Sequence, residues 1–382
     1  MAGGPLHAIV INNKVSNVCA NGGNGVIDSE LVCTAVADAL QLPGGSSSVL
    51  PSSTGVIGWR LPASELATDV VPRAVQNLQK QIQEQQQQQQ QTTTTKPATA
   101  VNAARAICTT DRWPKVRSYT CPRTGARIVG IAKGAGMIEP NMATMLSYIM
   151  TDAAIPREKL QAMLRTATDD SFNSISVDGD ESTSDTLVLL SSNLIKDVNE
   201  QEFEIALQQV CQGLAMDLVR NGEGTGHVIK VAVQNFPGSP LEARRLGRHI
   251  VNSPLFKCAV SGNDPNTGRL AAAIGSFLGK YKMGQDVTGL QITLGGRCIF
   301  TNGQFVLEGQ AVEEELSQHM LQAQYDEHSN YPPHQRCVEI SVDFGVDHNN
   351  NNNAESTTKS SAVVYGSDLT AEYVAVNADY RS

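Results

Sequence analysis

The stretch of residues 133–152 places Ala143-Thr144 between a glycine-rich turn and an apolar run. A threonine in this position can cut its own chain, because its hydroxyl can attack the preceding carbonyl carbon. Hydrolysis of the resulting ester would leave Thr144 as a new N-terminus, whose amine titrates at about 7.7–8.0. Nucleophile and general base would then lie on one residue. On spacing alone, the start of a buried strand is the simpler interpretation, since short motifs recur by accident.

The composition excludes several classes of protein. The chain has 382 residues, 41% of them hydrophobic, which is enough for two or three domains and a substantial core. A net charge of −9 without a basic cluster argues against nucleic acid and membrane partners. No apolar run reaches the ~20 residues of a spanning helix, so we expect a soluble protein. The eight cysteines form no Cys-x-x-Cys pair and the histidines show no ligand spacing, so we expect buried thiols in a reducing compartment and no metal.

Helix-like and strand-like patterns alternate along the chain. Alternating or continuous apolar runs predict strands at residues 7–12, 127–131, 227–234, 290–294, 298–300 and 338–344. Helical spacing of apolar residues predicts a helix that begins at Pro156 and a second one over residues 202–220, ended by residues 221–224. This order predicts a layered α/β or α+β sandwich.

Three segments are too polar or too rich in glycine and serine for a packed core. A glutamine run followed by threonines occupies residues 85–95, within a low-complexity stretch of residues 79–100, and an asparagine run opens a second one at 348–361. Such tracts cannot offset their ordering entropy, so we expect solvent-exposed loop insertions. Homopolymer runs are commoner in eukaryotic coding sequences. Residues 43–48 form the third segment, a predicted loop.

Longer motifs identify a family resemblance. Gly134-Ala135-Gly136-Met137-Ile138 and Pro140-Asn141-Met142-Ala143-Thr144-Met145-Leu146 resemble the self-cleavage site of the ornithine acetyltransferase family, the bifunctional glutamate N-acetyltransferases of arginine biosynthesis. The match continues in the family's order through Ser53-Thr54-Gly55-Val56-Ile57-Gly58, Val177-Asp178-Gly179-Asp180, Asn221-Gly222-Glu223-Gly224, Asn252-Ser253-Pro254-Leu255, Asp264-Pro265-Asn266 and Asn377-Ala378-Asp379-Tyr380-Arg381. The resemblance runs from about His7 to Ser382.

The resemblance implies a fold, a reaction and an assembly. It implies a β-sheet core sheathed by helices, a smaller C-terminal domain, and cleavage into residues 1–143 and 144–382, which stay interleaved as a heterotetramer of two copies of each. The implied reaction moves acetyl from N²-acetylornithine through acetyl-Thr144 to glutamate. Some family members also accept acetyl-CoA, and no resident cofactor is implied. Eukaryotic relatives are mitochondrial, so we expect the matrix, although residues 1–25 carry no targeting pattern.

The family's functional residues fall on positions of this chain. The oxyanion hole falls on Thr54 and Gly55, where a hydroxyl and a backbone N–H would converge on the oxygen that becomes negative. Substrate contacts fall on Thr110, Lys133, Thr144, Glu223, Asn377 and Ser382. Lys133 suits a substrate carboxylate and Glu223 a cationic group. Taken singly, each residue has an ordinary alternative as a turn, a solvated charge, a helix-end charge or a polar loop residue.

The neighbouring acids Asp178 and Asp180 invite a metal interpretation. Calcium loops need more oxygen ligands over a longer repeat, and the family does not depend on metal, so we predict a hydrogen-bonded turn. Asn173 and Asp178 are expected to shape the pocket wall.

The sequence departs from the family near its start. Family members carry a further segment before residues 7–12, so we expect a truncated chain, and residues 12–20 drift from the family's asparagine-rich turn. Two rival functions follow. One is a self-processing aminopeptidase or amidohydrolase, in which water is the acceptor, and the other is an inactive truncated homologue.

Overall fold

The computed structural model describes residues 5–91, 100–139, 145–282, 287–306, 309–325, 335–345 and 359–379. Within these ranges the strands are β1 (Ala8–Asn12), β2 (Val49–Ser53), β3 (Lys115–Thr120), β4 (Arg127–Lys133), β5 (Leu146–Ala153), β6 (Ile175–Ser176), β7 (Thr186–Ile195), β8 (Val228–Pro237), β9 (Gln291–Leu294), β10 (Arg297–Thr301), β11 (Gln304–Phe305), β12 (Val338–Asp343) and β13 (Lys359–Ser367).

The helices pack against these strands. They are α1 (Gly25–Leu40), α2 (Ala63–Glu65), α3 (Val71–Gln91), α4 (Ala100–Ala106), α5 (Arg157–Asp169), α6 (Glu200–Arg220), α7 (Pro240–Val251), α8 (Pro254–Ser261), α9 (Thr267–Tyr281), α10 (Gln310–Ala323) and α11 (Ala371–Asp379). None of the described helices is long and apolar enough to cross a membrane.

The described strands form three sheets. A parallel pair joins β1 to β2, a four-stranded sheet has the order β3-β4-β5-β7, and a seven-stranded sheet has the order β11-β10-β9-β12-β8-β13-β6. Helix α7 packs on the seven-stranded sheet and α9 packs against α7, and buried side chains such as Val231, Leu246 and Phe277 form one core. The predicted mixed fold of sheets flanked by helices is confirmed.

Helix α6 organises the four-stranded sheet. The Asn199 side chain accepts a hydrogen bond from Glu202 N and so caps the first turn. Apolar residues recur at helical spacing along one face, and Phe203, Leu207 and Leu214 are completely buried in a core that also contains Ile128 of β4. Each such side chain contributes roughly 1.5–3 kcal/mol when it leaves water. The helix therefore covers the face of β4 that carries Ile128, while Ile131 on the other face is buried in a separate core.

The four-stranded sheet brings three chain segments to one edge. Lys133, the last residue of β4, is the partner of Leu146, the first residue of β5, in an antiparallel pair. Leu146 is in turn the partner of Thr186, the first residue of β7, in a parallel pair. The described residues directly after β4 and directly before β5 and β7 consequently meet at this edge, and they are Gly134, Met145 and Asp185.

Most predicted elements are confirmed. Strands β1, β4, β8, β9, β10 and β12 and helices α5 and α6 lie at the predicted positions, with ends that differ by up to three residues. Pro156 precedes the first residue of α5, as its fixed φ angle favours.

The prediction of loops at the polar segments is wrong in part. Residues 85–91 continue α3, because a helix already nucleated by the buried Val71 and Val75 can propagate through glutamine, a good helix former. Residues 45–48 form a 3₁₀ turn, and residues 359–361 begin β13. Residues 92–99 and 346–358, which include the threonine and asparagine runs, lie outside the described residues.

Candidate active site

A cavity of about 380 Å³ opens at the shared edge of the four-stranded sheet. It is lined by six of the residues that the sequence predicts for the site, namely Thr54, Gly55, Thr110, Lys133, Glu223 and Asn377. These residues are separated by up to 323 positions in the chain, so their convergence is a property of the fold. Ala143, Thr144 and Ser382, the remaining predicted site residues, lie outside the described residues.

Lys133 is the basic residue of the cavity wall. It is 2% exposed, and its ammonium donates hydrogen bonds to Thr54 Oγ1 at 3.1 Å and Thr109 Oγ1 at 3.4 Å. Burial lowers the pKa of Lys133, although the nearby Asp111 carboxylate opposes that shift. An anionic ligand group beside Lys133 would favour its charged form in the same way.

A buried network that the sequence analysis missed lies behind Lys133. Asp111 pairs with Lys115, and both side chains are fully buried. Asp111 Oδ1 also accepts a hydrogen bond from Gly134 N at 2.7 Å, and Lys115 Nζ donates to Asn221 Oδ1 at 2.7 Å. Burial raises the pKa of Asp111, but the Lys115 ammonium and the Gly134 N–H outweigh it and hold the pKa below its usual value. The network therefore fixes the backbone that follows Lys133.

Thr54 and Gly55 form the turn after β2. Gly55 has φ 125°, and a Cβ there would lie 2.3 Å from Lys14 O, so only glycine fits. Thr54 N donates to Asn12 O at 2.9 Å, which ties the turn to the end of β1. Because the Thr54 hydroxyl accepts from Lys133, its own proton is available to an acceptor in the cavity.

Glu223 and Asn377 form another part of the wall. Asn377 Nδ2 donates to Glu223 Oε2 at 2.8 Å, and Glu223 N donates to Ala135 O at 2.9 Å. A Cβ on Gly136 would lie 2.4 Å from Glu223 Oε2, so the glycine makes room for this carboxylate. The cavity thus carries an ammonium on Lys133 and a carboxylate on Glu223, a pair of charges that suits an amino-acid ligand.

Asp178 supports the cavity from behind and does not line it. Its carboxylate accepts from Met137 N at 2.6 Å, Ile138 N at 2.9 Å and the Tyr373 hydroxyl at 3.3 Å. Burial raises the pKa of Asp178, and these donors oppose the shift only in part. The predicted hydrogen-bonded turn is confirmed, since Asp180 N also donates to Asp178. The expected place of Asn173 in the wall is wrong, because its side chain instead bonds Asp169 on α5.

Two further parts of the site were missed in the sequence. Residues 182–184 add hydroxyl groups to the cavity wall. Asp185 follows them, and its Oδ1 accepts a hydrogen bond from Met145 N at 2.8 Å. Its Oδ2 is buried and has no hydrogen-bond partner among the described residues. In the sequence, Asp185 is a single acid before a strand. Neither its spacing nor its neighbours distinguish it from the other acids of the chain.

Among the described residues, the cysteines and acids show no disulfide and no metal-binding arrangement. None of the eight cysteines, all of which are described, forms a disulfide, and burial raises the pKa of Cys108 to about 11. Within the described ranges, the His, Cys, Asp and Glu side chains form no group that could hold a metal ion.

Comparison with known proteins gives consistent matches along the chain. The ArgJ family model matches residues 1–382. The arginine biosynthesis bifunctional protein ArgJ of Thermus thermophilus is 35% identical over 381 residues, which cover 100% of this chain and 84% of that protein. The glutamate N-acetyltransferase of Methanopyrus kandleri is 35% identical over 394 residues, covering 99% and 86%. A solved chain of the arginine biosynthesis bifunctional protein argJ of Bacillus halodurans is 29% identical, with a TM-score of 0.50, and the match covers 61% of this chain and 98% of that one.

Proposed function

The chain belongs to the ArgJ family, and from that membership we propose the chemistry of its site. It is an acetyltransferase of arginine biosynthesis. In the proposed reaction, Thr144 takes the acetyl group from N²-acetylornithine and passes it to glutamate. The observation that carries the proposal is the convergence of Thr54, Gly55, Lys133 and Glu223 on one cavity at the sheet edge from which β5 begins, two residues after Thr144.

The charges in the cavity support an amino-acid substrate. We assign the substrate carboxylate to Lys133, whose ammonium is buried and already surrounded by the hydroxyls of Thr54 and Thr109. Glu223 would bind the side-chain ammonium of N²-acetylornithine or the ammonium of glutamate. Asn377 would hold the Glu223 carboxylate in place. Thr110 and, by resemblance, Ser382 would add hydroxyl contacts. A hydrogen bond to a charged group contributes about 1.5–3 kcal/mol.

The turn at Thr54 and Gly55 supports an oxyanion hole. Attack on the acetyl carbonyl places negative charge on its oxygen, and the Thr54 hydroxyl with the Gly55 N–H would stabilise that charge. Lys133 donates to Thr54 Oγ1 and so orients the hydroxyl. Removing one donor of this kind typically lowers turnover by about 10²–10³.

Cleavage between Ala143 and Thr144 is the step that would create the nucleophile. The antiparallel pair of β4 with β5 links residues on both sides of this bond, and Arg117 on β3 also forms two hydrogen bonds with Asp217 on α6. Both pieces would therefore stay in one core after the cut.

The acetyl group arrives on a substrate, so the proposed reaction needs no resident cofactor. Acetyl-CoA is a second donor to be tested, with glutamate as acceptor and free thiol release as the readout.

For the assembly we propose two copies of each piece, to be tested by the mass of the native particle in light scattering. For the location we propose the mitochondrial matrix, by resemblance to eukaryotic relatives, to be tested by fractionation of source cells.

Product analysis tests the proposed function. The purified protein is incubated with N²-acetylornithine alone and with added glutamate, and N-acetylglutamate, ornithine and acetate are measured. The proposal expects N-acetylglutamate in step with ornithine only when glutamate is present. Free acetate as the main product would assign the chain to the hydrolase alternative, and no turnover by a cleaved, folded protein would assign it to the inactive alternative.

A further inference from the structure

Asp185 lies beside the residue that follows the proposed nucleophile. Its Oδ1 accepts a hydrogen bond from Met145 N at 2.8 Å, and Met145 is bonded through this nitrogen to Thr144. Thr186 N donates to Met145 O at 2.9 Å, so Asp185 and the first residue of β7 together hold both backbone polar groups of Met145. The backbone that leaves Thr144 is therefore fixed by Asp185 and its neighbour.

Only one oxygen of the Asp185 carboxylate is used in this contact. The other, Oδ2, is buried, and no donor among the described residues reaches it. A buried carboxylate oxygen normally has a partner, because leaving it without one costs about 1–3 kcal/mol. An unused acceptor next to a reacting residue is a candidate for a functional role, and taking up a proton during the reaction is one such role.

Chain cleavage needs such a group. After cleavage the free amine of Thr144 can serve as its own base, but before cleavage that nitrogen is part of an amide and has no basic lone pair. Among the described residues, the ionisable side chains that line the cavity are Lys133 and Glu223. The Lys133 nitrogen donates to Thr54 and Thr109, and the Glu223 carboxylate is the group assigned to the substrate. The Asp185 carboxylate, which is bonded to the residue next to Thr144, has an oxygen left to take the hydroxyl proton in the intact chain.

We propose that Asp185 accepts the proton of the Thr144 hydroxyl during chain cleavage, a role that rests on the proposed function of Thr144 as nucleophile. As Oγ bonds to the carbonyl carbon of Ala143, its proton moves to Oδ2 of Asp185. The bond between that carbon and the Thr144 nitrogen then breaks, and the nitrogen receives the proton from Asp185. Water hydrolyses the remaining ester to the Ala143 carboxylate and a free Thr144 hydroxyl.

The electrostatic surroundings suit this exchange. Burial raises the pKa of Asp185 to about 7, and the Glu181 carboxylate adds to the shift, whereas the Met145 N–H and the Lys133 ammonium on β4 oppose it. A carboxyl group with this pKa both accepts and returns a proton near neutral pH, as general acid–base catalysis requires.

Newly made precursor tests the proposal. Radiolabelled chains from cell-free translation are transferred to buffers from pH 5.5 to 8.5, and loss of the intact band is followed on denaturing gels. The variants are Asp185→Asn, which keeps an oxygen for Met145 N, Asp185→Glu, which keeps a carboxylate, and Thr144→Ala. The matched control is Asp180→Asn, an exposed acid five residues earlier in the same loop.

We expect the wild-type cleavage rate to rise with pH through about 7, a change called the pH step below. The Asp180→Asn variant should show the same rate and the same pH step. Asp185→Asn should cleave about 10²–10⁴ times more slowly and lose the pH step, whereas Asp185→Glu should restore part of both. Equal melting temperatures of Asp185→Asn and Thr144→Ala would show that the slower cut is not a folding defect.

Four results would overturn the proposal. Cleavage of Asp185→Asn within about twofold of wild type would remove Asp185 from the reaction and leave Thr144 in place, since general bases contribute far more than this. Slow cleavage of Asp185→Asn with an unchanged pH step would reduce Asp185 to holding Met145. A wild-type chain that stays intact, or a Thr144→Ala chain that is cut, would overturn the proposed function and this proposal with it.

Discussion

Asn377 on α11 donates a hydrogen bond to Glu223 Oε2 at 2.8 Å, which joins the C-terminal helix to the cavity wall. Thr370, just before α11, donates to Gly224 O at 2.6 Å, and Arg112 pairs with Glu372. The end of the chain is thus bonded to the site at three places. Asn377 thereby makes α11 part of the cavity wall.

Asn377→Ala should weaken substrate binding. The change leaves the Glu223 carboxylate without the donor that orients it, so we expect KM for glutamate to rise by roughly tenfold with a smaller change in kcat. Initial rates over a range of glutamate concentrations measure this. Val374→Ala, on an exposed side of the same helix, should leave KM unchanged.

Deleting residues 377–382 extends this test to the whole tail. The deletion should raise KM or abolish transfer, while chain cleavage continues, because cleavage depends on Thr144 and the groups next to it. A deletion that leaves transfer kinetics untouched would exclude Asn377 and Ser382 from substrate binding.

Gly136→Ala should impair transfer with little effect on the rest of the fold. The added Cβ would lie 2.4 Å from Glu223 Oε2 and must displace that carboxylate. We expect kcat/KM to fall by about tenfold or more, the effect of losing one charged contact. Gly275→Ala is the matched control, because a Cβ there meets nothing within 4 Å, and alanine inside α9 should stabilise the protein by about 0.5–1 kcal/mol. Equal kinetics for the two variants would contradict the role given to Glu223.

Asp111→Asn should destabilise the protein in a pH-dependent way. It leaves the Lys115 ammonium buried without a carboxylate, which costs roughly 3 kcal/mol or more. Because the folded-state pKa of Asp111 is lowered, its stabilising effect is present above the unfolded value, near 3.9, and is lost as the pH falls below it. The difference in free energy of unfolding between wild type and variant should therefore be large at pH 7 and shrink toward pH 3.

Urea unfolding of both proteins in the uncleaved Thr144→Ala background measures this difference. Asp38→Asn, an exposed acid on α1, should change the free energy of unfolding by no more than about 0.5 kcal/mol. A difference between Asp111→Asn and its parent that does not change with pH would contradict the pairing of Asp111 with Lys115.

Transfer should follow a ping-pong pattern, because one acetyl-enzyme serves both donor and acceptor. Parallel double-reciprocal lines for acetylornithine and glutamate are expected, and intersecting lines would indicate a ternary complex. The rate should fall as the pH drops below about 7.7–8.0, the range of an α-amine, since a protonated Thr144 amine cannot accept the hydroxyl proton. A rate that is flat from about pH 6 to 9 would exclude that amine as the base.

The residues of the cavity were predictable where a motif carried them. Thr54, Lys133 and Glu223 each lie in a short run that resembles the family, and the fold brings these runs to one edge. Asp111 and Asp185 were not predictable, because each acts on a backbone N–H that only the strand pairing places beside it. A single acid before a strand has no local signature.

The same distinction holds for the secondary structure. Helix α6 was predictable because its apolar face and its end at Asn221 are local features of the sequence. The helical glutamine run at residues 85–91 was not, since its conformation depends on the turns of α3 that precede it and on their packing against α1. Composition alone favoured a loop there.

The mass of the acetylated fragment tests the central claim most directly. Purified protein is mixed with N²-acetylornithine in the absence of glutamate, and the pieces are resolved by denaturing mass spectrometry. The account predicts two pieces, residues 1–143 and 144–382, with one acetyl group on Thr144 of the larger piece, lost when glutamate is added. An uncut chain, or an acetyl group that is absent from Thr144 while transfer proceeds, would contradict it.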